Sequence, residues 1–257
     1  MNMESYTKMS EVYDKLIKED VDYNLFSDKI MEVVEKLNIN KGDYLDVGCG
    51  TGNLSLIISP KFKYTWLVDY SSSMLSETFN KFKDKNLKPT IICQDMCDLN
   101  LKHKFDLITC TLDAVNYIIE EGDLQRFFNN IYKHLNEGGI FIFDINSYYK
   151  LSNVLGNNTF VYDEEDIFYT WENSFEEDIL DMYLTFFLKK DNFYERFEET
   201  HFERAYSDSK IEEMLHNANL MVKDKLDCYS TKKIDDYTER LVYVVKKEYG
   251  GTKWKID

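Results

Sequence analysis

The chain has 257 residues, 44% of them hydrophobic and 15% aromatic, enough to fold one large domain or a core with a sizeable insertion. Its 47 acidic residues outnumber 31 Lys and Arg, a formal net charge of −16 that repels nucleic-acid phosphates and anionic membranes; no local basic patch shows in the sequence. The N-terminal stretch MNMESYTKMSEVYDKL lacks a signal-like apolar run, and no run approaches the ~18 residues of a membrane span, so a cytoplasmic location is expected.

Taken in chain order, residues 25–37 carry Ile30, Val33, Val34 and Leu37 at helical spacing. A short apolar strand, Tyr44–Val47, runs into the glycine turn GCGTGN, followed by a helical run from Asn53 to Ser59. YTWLVDYS, TIICQDM, FDLITCTLD and IFIFDIN read as strands, with SMLSETFNKFKDK and DLQRFFNNIYKHLN as helices between them. Gly138–Gly139 is expected to stop the second of these helices. Strand and helix alternating every 20–30 residues imply a parallel sheet covered on both faces.

The rhythm breaks after Asn146. NTFVYD, IFYTWENSF, ILDMYLTFFLKK and FYERFEETHFERAY follow one another without strong helical stretches, as antiparallel strands do. SDSKIEEMLHNANL then reads as a helix, and LMVKDKLDCYS with ERLVYVVKKE as a hairpin returning to the core. The expected class is therefore α/β: a doubly wound, seven-stranded, mostly parallel Rossmann-like sheet with an antiparallel β insertion after the fifth strand. Residues 1–146 form the core with N-terminal helices, 147–205 the insertion, and 206–257 the last helix and two strands. The insertion is expected to act as a substrate lid, with Tyr162, Phe168, Tyr169, Trp171, Tyr183 and Phe186 as its aromatic wall; the alternative is that these rings pack the insertion's own core.

The strongest chemical signal is Asp46-Val47-Gly48-Cys49-Gly50-Thr51-Gly52-Asn53. A buried strand ends in glycines at alternate positions and a helix begins. Glycine permits positive φ and close backbone approach, and in an open α/β sheet ligands sit at the carboxyl ends of the strands. The spacing is G-x-G-x-G rather than the dinucleotide G-x-G-x-x-G, which favours S-adenosylmethionine over NAD. No G-K-[ST] follows, so a P-loop is excluded. Asp69 ends the next strand, where a ribose-binding acid belongs; a turn acid is the bland alternative. The five cysteines read as reduced, mostly buried thiols. Cys93 and Cys97 lack a second pair at zinc spacing, so no metal is expected.

With D-V-G-C-G-T-G-N, Asp69, Gln94-Asp95-Met96 and FDLITCTLDAVNYI in this order, and with YTKMSEVYDKL, THFERAYS and ERLVYVVKK flanking them, the chain resembles class I S-adenosylmethionine-dependent methyltransferases. Within them it is similar to YqeM-like proteins, which are related to macrolide aminosugar N,N-dimethyltransferases and glycine N-methyltransferases. The resemblance implies that Gly48, Cys49 and Gly50 lie along the methionine part of the cofactor and that Asp46 reaches its amino group. It also implies that Asp69 accepts from the ribose hydroxyls, with Met74, Asp95 and Met96 around the adenine. Cys110 or Thr111 would face the sulfonium, and Tyr13, with Tyr6 less firmly, would close over the cofactor. For each a structural role competes: Met74 and Met96 as core fillers, Asp95 as a loop acid, Tyr13 as a packing residue.

Candidate acceptor contacts are Asp113, Asn116 and Tyr117 of LDAVNY and His201 of the insertion. Asp113 is equally suited to cap the following helix, and His201 to pack within its strand. No catalytic base is identifiable, in keeping with an amine acceptor, which loses its proton without one. The segment CTLDAV differs from the N-P-P-Y of DNA adenine methylation, and no C-x3-C-x2-C supports radical chemistry. The leading expectation is methylation of a small-molecule amine nitrogen. An oxygen acceptor, a non-catalytic binding module and, less favoured, an NAD-dependent oxidoreductase stand as alternatives. Neither nucleic acid nor membrane is expected as a partner.

Overall fold

The structure is a computed structural model that describes residues 9–17, 20–164 and 166–247; Tyr6 lies outside them. In chain order the helices are α1 (Tyr13–Ile17), α2 (Tyr23–Lys36), α3 (Asn53–Ile58), α4 (Ser72–Asp84), α5 (Glu121–His134) and α6 (Asp208–Asn217). The strands are β1 (Asp43–Val47), β2 (Tyr64–Asp69), β3 (Thr90–Cys93), β4 (Phe105–Cys110), β5 (Leu135–Asn146), β6 (Thr159–Asp163), β7 (Ile167–Glu176), β8 (Ile179–Lys190), β9 (Phe193–Arg204), β10 (Leu220–Asp227) and β11 (Arg240–Lys247).

Seven strands form one sheet in the order β10-β11-β5-β4-β1-β2-β3. β1 to β5 pair in parallel, while β11 runs antiparallel to both β5 and β10. The order in which strands are added reverses at β1, which pairs with β2 on one side and β4 on the other. That places the topological switch, where such sheets bind ligands, at the glycine turn that follows β1. Every residue of β4 is buried, as a central strand covered on both faces requires.

The helices cover both faces because each has one apolar side. α2 buries Phe26, Ile30, Val33 and Val34 and starts at Asp22, whose carboxylate accepts from the amides of Asn24 and Leu25. It packs with α3 on Tyr44, Leu107, Ile140 and Ile142. α5 and α6 cover the other face, where Phe127, Phe128, Ile131, Ile211 and Met214 meet Leu45, Val47, Phe141 and Phe143.

Gly138–Gly139 does not terminate α5. The helix ends at His134, and both glycines lie inside β5. Gly138 takes φ +83, and a Cβ on Gly139 would come within 2.8 Å of the Phe105 carbonyl oxygen, where the β4–β5 register shifts. The pair serves a close strand approach rather than a helix stop. The cysteines are also less buried than expected: Cys97 and Cys110 are buried, Cys49 and Cys228 half-buried, and Cys93 exposed.

Residues after β5 form a π-helical turn, Lys150–Leu155, which strand-like periodicity did not announce, and then the four-stranded antiparallel sheet β6-β7-β8-β9. Its inner face buries Leu180, Met182, Leu184, Phe186, Leu188 and Phe197. Met9, Val12 and Leu16, in and beside α1, pack against this second core. β9 is one edge of the sheet, and Asn116 of the segment after β4 donates to the Arg204 carbonyl at its end, tying that edge to the main sheet.

Candidate active site

A cavity of about 400 Å³ opens at the carboxyl ends of the parallel strands. Its floor is the glycine turn. Gly48, Gly50 and Gly52 all take positive φ, a backbone that only glycine adopts without strain. A Cβ on Gly48 would lie 3.0 Å from the Ala114 Cβ, whereas one on Gly50 meets nothing within 4 Å. Gly48 is thus required by close packing, and Gly50 leaves open space against the backbone.

Four of the turn's amides are engaged within the protein. Those of Gly48 and Cys49 donate to the Val68 carbonyl at 2.8 and 3.1 Å, that of Gly50 to Asp69 Oδ2 at 2.8 Å, and that of Gly52 to the Cys49 carbonyl at 2.9 Å. The turn leaves none of these four to a ligand. It offers two carboxylates instead. Asp46, 2% exposed, accepts from Thr109 Oγ1 at 2.6 Å and from the Ser55 hydroxyl. Burial pushes its carboxyl up to about 6, against the opposing pull of these hydrogen bonds. Asp69 accepts from the Gly50 and Ser71 amides, one on each oxygen. Burial also raises its carboxyl above the usual range. Each Asp69 oxygen keeps acceptor capacity for a ligand hydroxyl.

The cavity wall brings together Tyr13, Asp46, Gly48, Cys49, Gly50, Asp69, Met74, Met96, Thr111, Tyr117 and His201. Four other candidates lie outside the wall. Cys110 is fully buried in the core between sheet and α5, so Thr111 alone of that pair reaches the cavity. Asp95 turns one carboxylate oxygen to the Cys97 amide at 2.8 Å, and its neighbour Gln94 takes the wall position. Asn116 is buried with both ends of its amide bonded: Nδ2 donates to the Asn146 and Arg204 carbonyls, and Oδ1 accepts from the Asn146 amide. Asp113 points to Arg240 at 2.7 Å.

That last pair belongs to a buried network that the sequence reading missed. Leu112 and Asp113 both take positive φ, costing about 1–3 kcal/mol each for non-glycine residues. Both amides are held by the Asp144 carboxylate, at 3.0 and 2.8 Å. Arg240 pairs with Asp144 and Asp113, and the Tyr229 hydroxyl donates to Asp144 at 2.7 Å. The network fixes the loop after β4, which supplies Thr111, Leu112, Ala114 and Tyr117 to the wall. Its only sequence signals are an acid near the end of β5 and an arginine opening β11.

A second network holds α1. Asp14 accepts from Thr51 Oγ1 at 2.6 Å and Asn53 Nδ2 at 2.9 Å and pairs with Lys81, which also donates to Asn53 at 2.6 Å. Burial raises the Asp14 carboxyl, but the Lys81, Thr51 and Asn53 hydrogen bonds outweigh it and hold it below the usual value. Tyr13 is thereby fixed over the glycine turn.

The inserted sheet reaches the cavity through β9 alone, by Thr200, His201 and Phe202. None of the six aromatic residues expected as the lid wall lines it. Tyr169 and Phe186 stack with centroids 5.2 Å apart, and Trp171 packs on the same inner core, while Phe168 meets Phe187 at 6.0 Å. The alternation of β7 and β8 explains much of this: one face is committed to the sheet's own core, while Tyr183 on the opposite face is exposed. Burial pulls the His201 imidazole down to about 4, so it is neutral at physiological pH. Its ring meets that of Tyr117 edge-on, with centroids 6.0 Å apart.

A family model described as a methyltransferase domain matches residues 45–139, from β1 to β5. A solved structure of an S-adenosylmethionine-dependent methyltransferase from Clostridium acetobutylicum ATCC 824 is 54% identical. It covers 95% of this chain and 99% of its own, with a TM-score of 0.91. This chain belongs to the S-adenosylmethionine-dependent methyltransferases. The putative methyltransferase YqeM of Bacillus subtilis (strain 168) is 29% identical over 94% of this chain and 97% of its own. The sugar N-methyltransferase KedS8 from Streptoalloteichus sp ATCC 53650 shares the fold, with a TM-score of 0.77 at 18% identity over 93% of each chain. The enzyme is therefore a methyltransferase with a seven-stranded core, and NAD-dependent oxidoreduction is set aside. S-adenosylmethionine is its methyl donor. No helix among the described residues is long and apolar enough to cross a membrane.

Proposed function

We propose that this methyltransferase acts on an amine nitrogen of a small molecule, bound between the glycine turn and the edge of the inserted sheet. The observation that carries the reading is one continuous cavity lined by Asp46 and Asp69 on one side and by Tyr117, Thr200, His201 and Phe202 on the other. Its volume suits small ligands rather than a macromolecular surface. Likeness to a sugar N-methyltransferase supports an amine on fold analogy alone.

In this reading Asp46, Gly48, Cys49 and Gly50 hold the methionine part of the cofactor, and Asp69 accepts from the ribose. Met74, Gln94 and Met96 line the adenine end. Thr111 and Tyr117 flank the reacting centre, and Tyr13 closes from above. When bound, S-adenosylmethionine supplies an electrophilic methyl group. The protein's part is to align the acceptor and exclude water, work assigned to α1 and to residues 147–205, whose edge strand β9 covers the acceptor side. The neutral His201, on the cavity wall, accepts a hydrogen bond from the acceptor in this reading. Its neutrality also gives a hydroxyl acceptor a second reading, since a hydroxyl needs a neutral base to take its proton.

The test is S-adenosylhomocysteine formation with pooled small amines, pooled hydroxy and carboxy compounds, and bulk tRNA assayed separately. Turnover confined to the amines is expected. Turnover confined to hydroxy compounds transfers the assignment to the second reading, and turnover on tRNA alone contradicts both.

A further inference from the structure

We infer that Glu203 is a positioning residue of the acceptor site: its carboxyl group clasps the end of β9 to the end of β5, keeps the wall strand against the loop after β4, and releases it on ionising. The inference rests on the reading above that β9 walls the acceptor. The chain leaves the core after Asn146, the last residue of β5, and returns after Arg204, the last residue of β9. Glu203 and Asn146 are each 3% exposed, and Asn146 Nδ2 donates to Glu203 Oε2 at 2.9 Å. Asn116 completes the junction. Its Oδ1 accepts from the Asn146 amide at 2.9 Å, and its Nδ2 donates to the Asn146 and Arg204 carbonyls at 3.2 and 2.9 Å.

The clasp adjoins the cavity wall on both sides. Phe202 precedes Glu203, and Tyr117 follows Asn116; both line the cavity. The two wall segments meet where the Tyr117 and His201 rings lie edge-on, with centroids 6.0 Å apart. A strand advances about 3.3 Å per residue, so Glu203 grips β9 within one residue of Phe202 and two of His201.

Charge decides which form of the carboxyl closes the clasp. The charged groups that face Glu203 are Asp113 of the loop after β4, Lys150 of the π-helical turn and Arg240 of β11. Asp144 of β5 joins them through its ion pair with Arg240, and Lys150 donates to Asn146 Oδ1 at 3.1 Å. His201 and Glu199 share the Glu203 side of β9, and the residue opposite on β8 is the fully buried Leu180. Asp113 and Asp144 balance Arg240 and Lys150, so an ionised Glu203 is an uncompensated negative charge in a buried junction. Burial, and then the Asp113 charge, push its carboxyl up to about 8, against the pull of the Asn146 hydrogen bond and of Lys150 and Arg240. At neutral pH the carboxyl keeps its proton and the clasp is closed. At alkaline pH the proton passes to solvent, and the carboxylate gains hydration when the end of β9 moves outward.

The experiment compares the full chain with Glu203→Gln, which keeps the shape of the protonated acid and cannot ionise, and with Glu203→Ala, which cannot clasp. Hydrogen exchange of the β9 amides is followed by mass spectrometry with S-adenosylhomocysteine bound, from pH 6.5 to 9.5, each rate being divided by the intrinsic rate at that pH. Turnover is measured over the same range on pooled small amines and on pooled hydroxy and carboxy compounds at low concentration. Between pH 7 and 9.5 the parent chain should lose about 10-fold of the protection at the end of β9, and its turnover should fall about 10-fold relative to Glu203→Gln, which loses neither. Glu203→Ala should turn over slowly at every pH, and all three chains should bind S-adenosylhomocysteine equally. The same pH dependence in the parent and in Glu203→Gln, in exchange or in turnover, overturns the inference. Full turnover in Glu203→Ala, or altered S-adenosylhomocysteine affinity in Glu203→Gln, also overturns it; where Glu203→Ala does not fold, Glu203→Gln carries the test. Turnover on hydroxy compounds alone overturns the amine reading and leaves the clasp standing. Turnover on neither pool overturns the acceptor reading, and the exchange comparison alone then decides the clasp.

Discussion

Asp46 and Asp69 face the same cavity and do different work. Asp46 sits in a hydroxyl cradle with its carboxyl raised to about 6, so apo stability falls as pH rises from about 4 to 6, where the folded state holds the proton that the unfolded chain releases. Binding a cationic amino group requires the ionised form. Calorimetric titration of S-adenosylmethionine should therefore show affinity roughly constant above pH 7 and falling ~10-fold per unit below pH 6, a slope that Asp46→Asn removes; a flat profile in the parent chain would take the amino group away from Asp46. His201 has the opposite sign. Its folded value, near 4, lies below the ordinary one, so stability rises with pH between about 4 and 6.5. Urea titrations at pH 4.5 and 7 should show this rise shrinking in His201→Phe. The sequence exposed Asp46 and Asp69 because they stand at fixed offsets from the glycines. It did not reveal that Asp95, Asp113 and Asn116 lie outside the cavity wall, because their partners, the Cys97 amide, Arg240 and the Asn146 backbone, are set by tertiary contacts that adjacency does not encode.

At the scale of elements, two short segments decide the shape of the cavity. The helix α1 is only five residues long and could not persist alone. It is held by Asp14 on the glycine turn and by Met9, Val12 and Leu16 on the inserted sheet. Asp14→Ala, or Lys81→Met, should weaken S-adenosylhomocysteine binding ~5–20-fold, about 1–2 kcal/mol for lost charge-assisted hydrogen bonds, without changing the far-ultraviolet circular dichroism. Equal affinity in both variants would mean that α1 does not close over the cofactor. The loop after β4 depends on Asp144. Asp144→Asn weakens the anchor of two left-handed residues and leaves Arg240 buried with one carboxylate, so the expected loss is about 3 kcal/mol in urea unfolding. Leu112 and Asp113 in the left-handed region, like Gly138 inside β5, were invisible to periodicity, which registers side-chain alternation and not the sign of φ.

For the whole molecule, the division of labour follows the chain's own break after Asn146. The alternating half builds the parallel sheet and its switch point, and both were legible because central strands are continuous apolar runs and the glycine turn has fixed spacing. The inserted sheet was legible as antiparallel, but its aromatic wealth did not locate the acceptor wall. Six of its rings serve the second core, and the edge strand β9 brings only Thr200, His201 and Phe202 to the cavity. The net charge of −16 likewise hid the cleft formed by Lys102, Lys104, Arg126 and Lys133, since residues apart in sequence gather there. The account's central claim is that methyl transfer occurs between the glycine turn and β9. A crystal structure with bound S-adenosylhomocysteine tests it most directly. The account predicts ribose hydroxyls on Asp69, the amino group on Asp46, and the sulfur facing Thr111 and Tyr117 toward His201. A nucleoside bound elsewhere, or a sulfur pointing away from β9, would contradict it.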